Sequence, residues 1–364
     1  MKQLVKNFSL KDQLLPESAV QYLASIIKRQ YSDFNSNAFQ EETLVGYSEL
    51  ELKARMAHIC NSLIRHLPSN YEESVQILLD SCEKENKDSD FVFGAYCEFI
   101  QKQGCTKEHL TVSLATLGTL TSWFSAEFAI RDFINTFPDE VLAQMIAWSK
   151  DSDVHKRRLA SEGTRPKLPW GIAIGTDYRL VRPILDQLHD DKDRYVVRSV
   201  ANHLNDISKS DPDFVLQCLK DWGMTATDYL TTHSLRTAIK QGHVGALAFI
   251  GYKQHPKVEL RQFCIQTPKV RMGNELIFSF DVVAQQDEDI LIDYVITYAT
   301  KTTKTSKKVF KLSQIKMKKD ERKSFVKKQL FRLMSTKSLY PGKHTIEIQI
   351  NGSILGSKSF EITV

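Results

Sequence analysis

A chain of 364 residues with 42% hydrophobic content is long enough for about two or three domains with real cores, and its ordinary apolar fraction excludes a disordered or fibrous protein. Its first residues, MKQLVKNFSLKDQLL, lack the apolar core and cleavage site of a signal peptide, and no apolar run is long enough to span a bilayer, so a soluble cytoplasmic protein is expected. The net charge of +5 is uneven: residues 256–364 carry 20 Lys and Arg against 11 Asp and Glu, while residues 1–255 carry 29 against 33. The C-terminal part therefore suits a polyanionic partner, or is simply a solvated lysine-rich surface.

The elements follow in order. Glu17–Gln30 places Val20, Leu23, Ile26 and Ile27 on one helical face. Tyr31–Leu44 is aromatic and polar and reads as a loop. Ser48–Leu67 and Tyr71–Cys82 read as amphipathic helices, with a charged turn at Glu83–Asp88. Ser89–Lys102 is helical and aromatic, and Phe91, Phe93, Tyr96 and Phe99 read as core. Helices are expected again over Lys107–Phe124, Ala126–Phe137 and Asp139–Ser149.

Asp153–Trp170, DVHKRRLASEGTRPKLPW, begins as a helix and ends as a stiff loop. Val154, Leu159 and Ala160 can face a core, and His155–Arg158 form a basic face. Gly163 is the expected C-terminal cap, and Pro166 and Pro169 restrict the backbone that follows. A carboxylate (Glu162), several guanidinium groups and the Trp170 indole are thus presented within one short span. That is a site for an anionic ligand, unless Arg and Trp only cap the helix end.

An internal echo links Asp153–Ala160 to Asp193–Val200, 40 residues on, each after an apolar helix (Val141–Trp148 and Val181–Leu188). A period near 40 is the mark of HEAT or armadillo-like helical arrays, which stack into one continuous core with a long concave face. The pattern continues through Pro212–Trp222, Ala226–Lys240 and His243–Phe249.

Near Gly251 the pattern changes to period two. Val258–Phe263, Glu275–Phe280, Leu291–Tyr298, Ser306–Leu312, Ser324–Phe331, His344–Ile350 and Ser353–Thr363 read as short strands separated by turns such as Asn351-Gly352. Such spacing suggests an immunoglobulin-like sandwich, with the basic Lys301–Lys328 as a projecting hairpin. The expected fold is therefore mainly α: a HEAT-like α-solenoid (residues 1–252) followed by a small all-β immunoglobulin-like sandwich (residues 253–364).

Six scattered cysteines without a CxxC pair, and ten histidines without HExxH, give no metal-ligand spacing. His155, His203 and His233 read as packing or hydrogen-bonding residues, and neither a metal nor a cofactor is called for.

Three segments carry a family resemblance: Ala126–Arg131 (AEFAIR), Arg157–Trp170 (RRLASEGTRPKLPW) and Val197–Ile207 (VRSVANHLNDI). They resemble the DNA alkylation repair glycosylases of the AlkC type, relatives of the AlkD group, over residues 40–252. The sandwich is similar to the immunoglobulin-like extension of one branch of that family.

The resemblance implies a solenoid that cradles alkylated duplex DNA and excises cationic N-methylated bases of the 3-methyladenine type without full base flipping. The accessory domain would approach the duplex from the minor-groove side. The protein would act as a monomer, with no membrane partner.

The chemistry suits the residues. A base alkylated at a ring nitrogen is already an activated leaving group, so carboxylates need only stabilise an oxocarbenium-like sugar and position water. Glu127 and Glu162 are the catalytic candidates, with Trp170 against the sugar or base. Arg158, Arg165, Arg198 and Lys167 are the DNA-binding candidates, and Asp206 and Trp123 are supporting residues. Arg198 and Asp206 read equally as part of an Asp–Arg ladder between repeats, and Trp123 as core. The alternative is a non-catalytic HEAT-repeat protein that binds damaged DNA or a protein partner.

Overall fold

The computed structural model describes residues 9–82, 91–301, 305–332 and 339–363. The expected charged turn at Glu83–Asp88 and the start of the aromatic helix lie outside them. The chain packs as two compact units, Met1–Asp206 and Ile207–Val364.

The first unit is helical, and most of its helices pack on helices close by in the chain (Glu17–Gln30 on Ser36–Leu44, and Pro138–Trp148 on both Ile130–Thr136 and Val154–Gly163), as HEAT-like arrays do. Helix Glu17–Gln30 buries Ala19, Val20, Leu23, Ala24, Ile26 and Ile27, the apolar stripe read from its spacing. The segment read as a loop, residues 31–44, instead contains helix Ser36–Leu44. Asn35 caps it by accepting from the Ala38 N–H at 3.1 Å, and Phe34 and Phe39 are fully buried. A short helix with one apolar anchor has too little periodicity to stand out, and the capping asparagine was the available signal.

The 40-residue echo is real in local structure. Helices Val154–Gly163 and Arg194–Ile207 start from the same turn. Asp151 accepts from the Asp153 N–H at 2.8 Å, and Asp191 from the Asp193 N–H at 2.9 Å. Arg157 joins the two repeats. It reaches Asp191 at 2.7 Å and Asp193 at 2.9 Å, and its Nη1 donates to the Asp151 and Ser152 carbonyls.

Gly163 is a helical residue rather than an αL cap; Thr164 follows as the C-cap. A Cβ at Gly163 would lie 2.8 Å from Ile130 Cγ2, so close helix packing explains that glycine.

The second unit begins with helices Pro212–Asp221, Tyr229–Ser234, Arg236–Lys240 and Val244–Phe249. Its sandwich comprises β1 (Val258–Ile265), β2 (Lys269–Arg271), β3 (Glu275–Ala284), β4 (Glu288–Ala299), β5 (Thr305–Met317), β6 (Arg322–Leu330), β7 (Gly342–Ile350) and β8 (Ser353–Thr363). One sheet runs β1-β3-β6 and the other β2-β8-β7-β4-β5. Phe278, Phe280 and Val282 of β3 alternate into the same core as Ile290, Ile292, Tyr294 and Ile296 of β4. β5 pairs with β4 and β6 with β3, so Thr305–Lys328 crosses between the sheets where a projecting hairpin was expected; residues 302–304 of that expected hairpin lie outside the described residues. Phe310, Leu312 and Ile315 of β5 and Phe325 of β6 pack against the sandwich core.

The helix-to-strand boundary falls inside this unit because its helices dock on the sandwich. Gln349 donates to the Lys240 carbonyl at 3.1 Å and Asn351 to the Lys253 carbonyl at 2.8 Å. A Cβ on Gly352 would lie 2.4 Å from Gly242 Cα, so this approach requires glycine. Among the described residues no helix is long and apolar enough to cross a membrane.

Candidate active site

The site grows from three places in the first unit. Glu127 lies in the turn before helix Ile130–Thr136, Glu162 in the last turn of helix Val154–Gly163, and a buried polar stripe on helix Arg194–Ile207 faces them.

Arg158 joins the two carboxylates. Its Nη1 pairs with Glu127 Oε2, and its Nη2 lies 3.5 Å from Glu162 Oε1. The Ser125 hydroxyl donates to Glu127 at 2.8 Å and accepts from Arg158 at 2.6 Å. Glu162 is 5% exposed. Its Oε1 also accepts from Arg165 Nη1 at 2.5 Å, and its Oε2 from the Ser199 hydroxyl at 2.6 Å. Arg165 is itself buried and reaches Asp206 through Nε at 2.9 Å and Nη2 at 2.8 Å. The chain Glu127–Arg158–Glu162–Arg165–Asp206 alternates in sign, so each buried charge has a partner.

These contacts separate the four basic candidates. Arg158 and Arg165 are engaged by carboxylates, and Arg165 holds Glu162 instead of facing solvent. Lys167 and Arg198 are exposed. Asp206 sits behind Arg165, while the ladder between repeats runs through Arg157, Asp191 and Asp193. Trp123 is half-buried just after helix Leu110–Leu120.

Trp170 is 66% exposed and has φ 66°, a left-handed conformation that costs a non-glycine residue free energy. Lys53 Nζ donates to its carbonyl at 2.8 Å. The residue borders a cavity of about 370 Å³ whose wall includes Phe124, Phe128, Met56 and Ser125. Ser125 thus links the Trp170 cavity to the Glu127–Arg158 pair.

Sequence reasoning missed Ser125, Ser199, Arg131 and Tyr195. Ser199, His203 and Asp206 stand at i, i+4 and i+7 and are all buried, a polar stripe at helical spacing that was legible in principle. Tyr195 is 42% exposed, with its ring centroid 5.2 Å from Arg158 Cζ. His203 Nδ1 meets the Ser161 carbonyl at 2.9 Å, as a packing histidine would. Burial pushes its pKa down to about 4 against the backbone hydrogen bond, which leaves it neutral near pH 7. Among the described residues no three His, Cys, Asp or Glu are grouped to hold a metal ion.

Residues 21–241 match the family model described as DNA alkylation repair enzyme, and residues 259–364 match that of the C-terminal Ig-like domain of uncharacterised protein YhaZ. The chain is 35% identical to uncharacterized protein YhaZ of Bacillus subtilis (strain 168), over 95% of this chain and 97% of that one. It is similar in structure to the Pseudomonas fluorescens alkylpurine DNA glycosylase AlkC bound to DNA containing an abasic site analog. The TM-score is 0.88 at 32% identity, and the match covers 98% of this chain and 100% of the other. With a family model spanning most of the chain and a relative aligned along nearly all of it, this protein belongs to the DNA alkylation repair enzyme family.

Proposed function

We propose that this protein is a DNA glycosylase of base excision repair that hydrolyses the N-glycosidic bond of cationic N-methylated bases of the 3-methyladenine type in duplex DNA. The observation that carries this reading is the meeting of Glu127 and Glu162, from different helices, on the single guanidinium of Arg158. Similarity to an alkylpurine glycosylase along the whole chain supports it.

In this reading the cationic base leaves with the electron pair of its N-glycosidic bond, because its positive charge already activates it. The sugar then carries oxocarbenium-like charge, which a nearby carboxylate stabilises. Water adds at C1′ and gives its proton to a carboxylate or to solvent. Arg158 and Arg165 orient the two carboxylates, and Trp170 stands at the rim to meet the sugar or base without full base flipping. Lys167 and Arg198 bind phosphates, and residues 253–364 serve as an accessory DNA-binding domain. The protein acts as a monomer in the cytoplasm.

The test is incubation of methylated duplex DNA with wild type, Glu127→Gln and Glu162→Gln, and mass spectrometry of the released bases. The reading expects release of free methylated base by wild type and a fall of about 10²–10³-fold in at least one variant. Salt-sensitive binding without release would instead indicate a non-catalytic damage-binding protein.

A further inference from the structure

Two arginines of the first unit are almost completely buried, Arg55 and Arg131. Arg55 has a carboxylate partner, Asp12, at 2.7 Å. Arg131 has none within ion-pair distance among the described residues. Its Nε–H donates to the Ile172 carbonyl at 2.6 Å, and its Nη1 donates to the carbonyls of Gly163 at 3.0 Å and Arg165 at 2.8 Å. Its Nη2 is buried without a hydrogen-bond partner. A buried guanidinium with no carboxylate at ion-pair distance is a poor way to gain stability, since an apolar side chain of similar volume fills such a space at lower cost.

The three carbonyls share a location. Gly163 closes the helix that carries Glu162, Arg165 holds Glu162 from the other side, and Ile172 lies two residues beyond Trp170. One helical turn after Arg131, Asn135 continues the same seam. Its Nδ2 donates to the Ala173 carbonyl at 3.0 Å, and its Oδ1 accepts from the Gly175 N–H at 3.0 Å. The loop runs so close that a Cβ on Gly171 would lie 3.2 Å from Arg131 Cδ. Within this loop Trp170 holds its left-handed backbone, which persists only where the surroundings over-determine it.

We infer that Arg131, assisted by Asn135, is a positioning residue that staples residues 163–175 and thereby sets where Glu162 and Trp170 stand relative to each other. It touches no substrate, and the peptide groups it holds are the two ends of the loop. The catalytic consequence rests on the glycosylase reading; the conformational one does not.

The experiment uses the full chain with Arg131→Met, Arg131→Lys and Asn135→Ala. Fluorine NMR of protein labelled with 5-fluorotryptophan reports on Trp170, whose resonance is assigned with Trp170→Phe. Hydrogen exchange reports on the amides of residues 164–172. Arg131→Met is expected to move or broaden the Trp170 resonance, leave that of the core residue Trp148 in place, and speed exchange in the loop about tenfold or more. Single-turnover base release is expected to fall about 10²-fold, the scale of an ångström-sized misplacement, with duplex affinity within about threefold of wild type. Arg131→Lys restores charge but cannot span three carbonyls, so it should recover only part of each effect.

Should Arg131→Met fail to fold, Asn135→Ala decides by the same two readouts, because its side chain is exposed. A wild-type Trp170 resonance and wild-type loop exchange in the folded variants would overturn the inference. If the wild type releases no base, the two conformational readouts still decide the staple, so its failure and that of the glycosylase reading stay distinguishable.

Discussion

Arg157→Ala tests how the repeats hold each other. Arg157 is nearly buried and makes five polar contacts: two to Asp191, one to Asp193, and one each to the Asp151 and Ser152 carbonyls. The Asp191 side chain is 6% exposed and that of Asp193 is 43% exposed. Truncation therefore strands one buried carboxylate, while water can serve the other. Breaking one partner of a buried pair costs about 3–5 kcal/mol, and solvent access at Asp193 argues for the lower end, about 3 kcal/mol. For a unit of this size that is a loss of about 6–12 °C in melting temperature.

The pH dependence follows from the same contacts. Burial acts to raise the Asp191 pKa, but the Arg157 hydrogen bonds prevail and hold it below the usual carboxylate range. In wild type this group adds stability that is present above that range and lost as pH falls through it. In Arg157→Ala burial is opposed only by the Asp193 N–H and the Lys192 charge, so the lowering is weakened and the defect should shrink as the pH is lowered toward 4.5. Urea unfolding at pH 7 and pH 4.5 measures both effects. Adding Asp191→Asn should recover at least about 1 kcal/mol at pH 7, since no stranded charge remains. A single-mutant loss under about 1 kcal/mol at pH 7, or a double mutant weaker than Arg157→Ala, would refute the ladder as an inter-repeat tie.

Three further outcomes are expected. His203 has a lowered folded pKa, so it contributes stability that is intact above about pH 6.5 and lost as pH falls toward 4; His203→Gln should flatten that acid limb by up to about 3 kcal/mol in denaturant melts. Gly163→Ala places a Cβ 2.8 Å from Ile130 Cγ2 and should cost about 1–3 kcal/mol in thermal unfolding. If Lys167 and Arg198 each bind a phosphate, alanine at either should reduce the slope of log affinity against log salt by about 1, measured by fluorescence anisotropy on duplex DNA.

Much of the architecture was legible in the sequence. The 3.6-residue stripe of Glu17–Gln30, the DVHKRRLA and DRYVVRSV echo, and the period-two runs after Gly251 are properties of neighbouring residues. The backbone therefore expresses them before any distant contact forms. Glu127 and Glu162 were also legible as candidates, through their neighbouring motif residues. Helix Ser36–Leu44 was not, because one buried phenylalanine and an asparagine cap give no period. Nor was the path of Thr305–Lys328, since an alternating strand does not say which sheet it joins.

The partners of the charged groups were decided only by tertiary structure. Arg157, Arg158, Arg165 and Arg198 look alike in sequence. Arg157 ties two repeats, Arg158 bridges two carboxylates, Arg165 is buried between Glu162 and Asp206, and Arg198 faces solvent. Arg131, which lacks a carboxylate partner among the described residues, binds carbonyls 32 to 41 residues away along the chain. Amphipathic periodicity is a local quantity, read along the chain. The energy of a charge depends on its burial and on through-space distance to its partner, and both are set by how the repeats stack.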